Sequence, residues 1–167
     1  MGPEEREDPV CASMAASPLP RREGLPWPSL LGFLACGTVV RREAFSDAGG
    51  FELRLGVGGE EELLAIDLVN RGWHRVRRGR HRPSKQRDPR RRSAQLVRNA
   101  LWVAWLRRPA RSALAATWRL GTAAIVDRDG RRGLRAALAG IPWVAPRRRV
   151  VTAEVEALLQ LLDHDSG

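Results

Sequence analysis

Six of the eleven prolines, Pro3, Pro9, Pro18, Pro20, Pro26 and Pro28, fall within the first thirty residues. Each fixes φ and removes a backbone donor, so this stretch supports neither a long helix nor a central strand. Residues 1–29 are expected to form an irregular arm. Hydrophobic residues make up 43% of the 167, enough to bury the core of one domain. No run of eighteen uncharged apolar residues occurs, which argues against a membrane-spanning helix. Met1 is followed by Glu4, Glu5, Glu7 and Asp8, not by a basic and then apolar leader, which argues against a cleaved secretory signal. The two cysteines, Cys11 and Cys36, exclude a disulfide scaffold and a four-cysteine zinc site within one chain. The expected compartment is the cytoplasm.

The net charge of +10 is unevenly spread. Residues 51–73 carry a net −3, and residues 74–112, directly after them, carry a net +13. All but one of the basic residues are arginine, the exception being Lys85. Arginine meets phosphate through a planar fork, so an anionic partner is expected.

Patterning divides the rest. Leu30 to Val40 is apolar, and Cys36, Thr38, Val39 and Val40 favour a buried strand. Arg41 to Ala48 reads as a short helix closed by Gly49 and Gly50, followed by an extended loop from Phe51 to Gly59. Glu60 to Asn70 is the clearest helix: three glutamates in its first turn suit the dipole, a broad apolar face follows, and Gly72 lies just past the end. Trp73 to Val76 is predicted to be a short strand and Gly79 to Pro89 a basic loop. From Pro89 onward the pattern is helical. Helices are expected from Pro89 to Leu106, Pro109 to Val126, Arg131 to Ala139 and Val151 to Leu162.

The segment Gly58-Gly59-Glu60-Glu61-Glu62 is the strongest candidate for chemistry. A carboxylate on a first helical turn, reached through glycines, can be aimed into a cleft and can take a proton from a hydroxyl. Dipole complementation alone accounts for one or two glutamates better than for three mutually repelling ones.

At this point the chain resembles the acceptor half of a family 2 glycosyltransferase. The residues that carry the likeness are Phe33 to Phe45, Ala48-Gly49-Gly50-Phe51, Gly58 to Leu68 and Gly72-Trp73. Pro83-Ser84, Arg87-Asp88-Pro89, Arg98-Asn99, Leu101-Trp102 and Trp105 to Pro109 follow in the order of a bacterial, actinobacterial-like subgroup. The likeness covers about residues 30–160. It implies an α/β fold: a partial GT-A type, Rossmann-like acceptor half with a few strands over residues 30–88, then a helical C-terminal extension over 89–167. The nucleotide-binding half, with its Asp-x-Asp, would precede residue 30. Asp127-Arg128-Asp129 and Asp163-His164-Asp165 lie too far downstream to stand in for that motif.

The resemblance also implies roles. Glu61 would be the catalytic base of an inverting transfer from a nucleotide sugar to a glycan or lipid-linked acceptor. Glu60, Glu62, Gly58, Gly59 and Trp73 would bind or shape the acceptor site. A divalent metal, magnesium or manganese, would neutralise the diphosphate, with His81 and Arg80 nearby. Peripheral association with the inner face of the plasma membrane is expected, and nucleic acid is not. The competing expectation is a non-catalytic basic module that binds nucleic acid or anionic membrane through Arg75 to Arg92. The low aromatic content, with no tyrosine and no tryptophan inside the arginine loop, counts against RNA. The helices that carry Trp102, Trp105 and Trp118 beside arginines could lie on a membrane surface, but core packing of these tryptophans is the favoured expectation.

Overall fold

A computed structural model describes residues 16–20, 31–33, 38–73 and 89–165, with backbone alone for residues 89–93 and 165. Helices α1 (Arg42–Asp47), α2 (Glu60–Asn70), α3 (Pro89–Arg107), α4 (Ala110–Ala124), α5 (Arg128–Ala139) and α6 (Ile141–Val144) follow in order. A 3-10 turn (Ala145–Arg147) leads to α7 (Ala153–Asp165). Among the described residues there is no β-strand, so the expected α/β, GT-A type acceptor half is corrected to an all-α arrangement. The physical reason is visible at the predicted strand's end. Val39 is fully exposed, and Thr38 to Val40 have no ladder partner among the described residues. Apolar, β-branched composition favours a pleated surface only where neighbouring strands exist to complete it. The predicted strand residues 34–37 and 74–76 lie outside the described residues, as does the basic loop 79–88.

Helix α2 is the centre of the packing. Leu63, Ile66 and Val69 enter the main core with Leu55, Leu101, Leu106, Val151, Val155 and Leu159. Leu64, Ala65 and Leu68, on another face, join Phe33, Ala44 and Ala48 in a second cluster. A helix buried on several sides cannot be strongly amphipathic, which is why its apolar residues are nearly continuous. Its end is a Schellman motif. Trp73 N–H donates to the Leu68 carbonyl and Gly72 N–H to that of Val69, both at 2.9 Å. The Trp73 ring packs on the second cluster, which holds Leu68.

Helix α3 starts with Pro89 in its first turn, where a missing N–H costs nothing. It lies closest to α5. A methyl group at Gly133 would run into the Ala94 carbonyl oxygen and the Val97 side chain, so only glycine permits this approach. Trp102 donates its indole N–H to the Ala137 carbonyl at 3.0 Å and tilts against Trp143, with ring centroids 4.9 Å apart. Trp105 donates to Thr117 Oγ1 on α4 at 2.7 Å. At the C-terminal end Arg148 donates to the carbonyls of Trp105 and Arg108, satisfying acceptors the helix itself leaves open.

The start of α5 differs from expectation by three residues, because Asp127 is its N-cap and accepts from Gly130 N–H at 2.8 Å. Tryptophan placement also needs correction. Trp102 is buried and Trp105 half-buried, but Trp118 is 77% exposed.

Candidate functional site

The loop before α2 turns sharply at Gly58 and Gly59, with φ of +90° and +96°. Residues with a Cβ rarely adopt these angles, so the two glycines permit the chain to enter α2 here. Gly59 is the N-cap and offers no side chain to the helix. The three glutamates follow in the first turn, where their charge complements the free N–H groups.

Three side chains of α3 hold this loop by its carbonyls. Gln95 Nε2 donates to the carbonyls of Leu55 at 3.1 Å and Val57 at 2.9 Å. Arg98 Nη2 donates to the Leu55 carbonyl at 3.0 Å. Asn99 Nδ2 donates to the same Leu55 oxygen at 2.9 Å and to the Gly58 carbonyl. The set is internally braced, since Arg98 donates through Nε and Nη2 to Asn99 Oδ1 at 2.9 and 2.8 Å. The Arg98 guanidinium also lies 4.6 Å from the Trp102 ring centroid. Asn99 is 1% exposed, and such burial is tolerable because its amide hydrogens and its oxygen are all engaged. Partial desolvation holds the Arg98 guanidinium below its ordinary range.

The three glutamates occupy different surroundings. Glu60 is half-buried, and its Oε2 atom is enclosed without a hydrogen-bond partner. Glu61 is half-buried. Glu62 is open to a cavity of about 430 Å³ that Ile66, Val103, Leu159, Arg108 and Asp163 also line. Glu62 is exposed by surface area, yet the protein packed around its carboxyl pushes that group up from its ordinary value. Arg108 pulls it back down and Asp163 adds to the rise. Arg108 is itself committed: it forks onto Glu156 at 2.9 and 3.2 Å and reaches Asp163.

A second pocket, of about 260 Å³, lies beside Gly49, Gly50 and Phe51. Arg147, Arg149 and the Arg107–Asp67 pair line it. Arg107 meets Asp67 through Nε and Nη2 at 2.5 and 2.8 Å.

The structure therefore brings Gly58, Gly59, Glu60, Glu61 and Glu62 together, as their contiguity requires. It does not bring Trp73 to them. Trp73 sits past the far end of α2, an eleven-residue helix that spans roughly 16 Å, and its indole N–H donates to Asp47. Arg80 and His81 lie outside the described residues.

Among the described residues no three His, Cys, Asp or Glu are grouped to hold a metal. Asp127 is spent on its helix cap and Asp163 on Arg108 and Arg119. Among the described residues no helix is long and apolar enough to cross a membrane.

Sequence reasoning missed the clamp on the loop and the Arg108–Glu156 pair. The available signal for the first was Asn99 standing among Leu101, Trp102 and Val103 on a helix, with Gln95 one turn before it. No protein-family model, curated protein or solved structure matches the chain.

Proposed function

We propose that this chain contributes the acceptor-side, base-carrying part of an inverting glycosyltransferase. Glu61 takes the proton of an acceptor hydroxyl, on a glycan or a lipid-linked glycan. The resulting nucleophilic oxygen attacks the anomeric carbon of a nucleotide sugar, and the nucleoside diphosphate leaves from the opposite face. Glu60 and Glu62 flank the base and orient the acceptor, while Gly58 and Gly59 allow it to approach the backbone.

One observation carries the reading: a loop with two left-handed glycines is locked by Gln95, Arg98 and Asn99 and delivers three glutamates to the first turn of α2. A catalytic base gains from such a rigid support, because small errors in placement cost rate steeply. The reading rests on this loop and helix start and makes no use of a nucleotide-binding sheet or of a metal.

The test is release of nucleoside diphosphate from uridine-, guanosine- and thymidine-diphosphate sugars in the presence of a glycan or lipid-glycan pool. Glu61→Gln is expected to lower turnover by roughly 10²–10⁴-fold while leaving donor affinity unchanged. Undiminished turnover in that variant would overturn the assignment.

A further inference from the structure

Helix α4 is built inside out. Its inward residues are small: Ala113, Ala116 and Ala124 are buried. Leu120 packs against the main core, but the other large apolar residues point away from the protein, with Leu114 at 70% exposure, Trp118 at 77% and Ile125, at its C-terminal end, at 55%. At 100° per residue Arg111, Leu114, Trp118 and Ile125 share an arc of about 60°. Val126, 83% exposed, follows directly. A helix that used tryptophan for its own core would show the reverse pattern.

The neighbouring surface is basic. Arg128, Arg131 and Arg135 of α5 share an arc of about 60° on that helix. All three are exposed. Arg131 donates to the Ile125 carbonyl at 2.9 Å, which ties the basic row of α5 to the apolar row of α4. Arg111 lies in the apolar row itself. The nearby carboxylate Asp127 is occupied by its capping bond.

We infer that the outer face of α4, with the arginines of α5, is a docking surface for an anionic lipid bilayer. Protruding leucine, isoleucine and tryptophan reach the boundary between headgroup and acyl chain, where an indole is well accommodated. The arginines meet lipid phosphates at the same level, drawn by the negative surface potential. Charge decides between this occupant and a second copy of the chain, since a two-fold contact through this face would oppose arginine rows of like sign. Nucleic acid would satisfy the arginines but leave the projecting aliphatic side chains without an apolar partner. The inference uses none of the glutamates of the proposed reaction.

Flotation of the full chain with vesicles tests it. One set is phosphatidylcholine alone and the other contains phosphatidylglycerol. The chain is expected to float with the anionic vesicles and to be released by salt. Trp118→Ala is expected to weaken binding roughly tenfold. Arg128→Gln with Arg135→Gln is expected to weaken it roughly thirtyfold. These side chains are exposed, so the circular dichroism spectrum and melting temperature should not change. Equal binding to neutral vesicles, unchanged binding in both variants, or self-association through this face without vesicles would each overturn the inference.

Discussion

Around its middle α3 grips its neighbour through an amide pair and a guanidinium set on backbone carbonyls. At its C-terminal end it does so through arginines set on carboxylates. In the first region Gln95, Arg98 and Asn99 donate to the carbonyls of Leu55, Val57 and Gly58. In the second Arg107 forks onto Asp67 and Arg108 onto Glu156, with Asp163 behind. The difference lies in what each acceptor can do. A peptide carbonyl has a fixed place and no titration, so the first region fixes a loop conformation largely independently of pH. A carboxylate carries a full charge, so the second holds α2 and α7 against α3 more strongly, at the risk of stranding a buried ion if one partner is lost. The rigid, pH-indifferent grip lies under the glutamate-bearing loop, where geometry matters most.

The largest expected effect comes from breaking the ionic region. Arg108→Met leaves Glu156, 3% exposed, without its partner, and should cost about 3–5 kcal/mol in urea unfolding. Adding Glu156→Leu should recover most of that loss, because an apolar pair needs no desolvated charge. Failure of the double variant to recover would show that the cluster positions α7 in some other way.

Asn99→Ala should cost about 1–3 kcal/mol, since two donors to buried or half-buried carbonyls disappear. Unlike the arginine variant, it should leave the acid-unfolding profile unshifted. Its larger consequence is expected in glycosyl transfer, through a loosened Gly58–Gly59 turn.

The smallest effects concern pH and separate Glu156 of the ionic region from Glu62 of the glutamate-bearing turn. Burial pushes the Glu156 carboxyl up, but the hydrogen bond from Arg108, with those of Ser112 and Gln160 and the Arg108 charge, outweighs it and holds the group below its ordinary value. Its contribution is therefore present above the unfolded carboxyl range, about 4.3, and is lost as pH falls through the lower folded value. Glu62 behaves oppositely. The protein around it raises its folded value, so its ionised form costs a little stability above that value, screened by solvent because the residue is exposed, and the cost is relieved as pH falls through it. Glu62→Gln should thus raise the melting temperature slightly at neutral pH and leave it nearly unchanged in acid. A lower melting temperature at neutral pH would mean that the Glu62 charge is compensated by Arg108 after all.

Some of this was legible in the residues. Helix α2 has the bounds expected from its three opening glutamates, its apolar run and Gly72. Helices α3, α4, α5 and α7 lie where periodicity placed them, to within a few residues. The strand predicted at Leu30 to Val40 is absent from its described residues, 31–33 and 38–40. A segment of cysteine, threonine and valine reads as a strand whether or not partners exist for it. Trp118 misled for a related reason: periodicity finds an apolar stripe but cannot say whether the protein's core or something outside it lies opposite. Of the clamp only the donors, Asn99 and Gln95, left a signal, because its acceptors are backbone carbonyls some forty residues away, which have no residue-type signature.

What the residues determined alone is local: where prolines forbid regular structure, where helices begin and end, and that glycines at 58 and 59 deliver three carboxylates to one helical turn. These follow from backbone sterics and dipoles acting within a few residues. What only the tertiary structure decided is relational: that α2 is buried on several sides, that Asn99 holds Gly58, that Arg108 serves Glu156, and that α4 turns its alanines inward and its tryptophan out. Each depends on which surfaces meet, and that choice is made by packing the whole chain at once rather than by any segment's own preference.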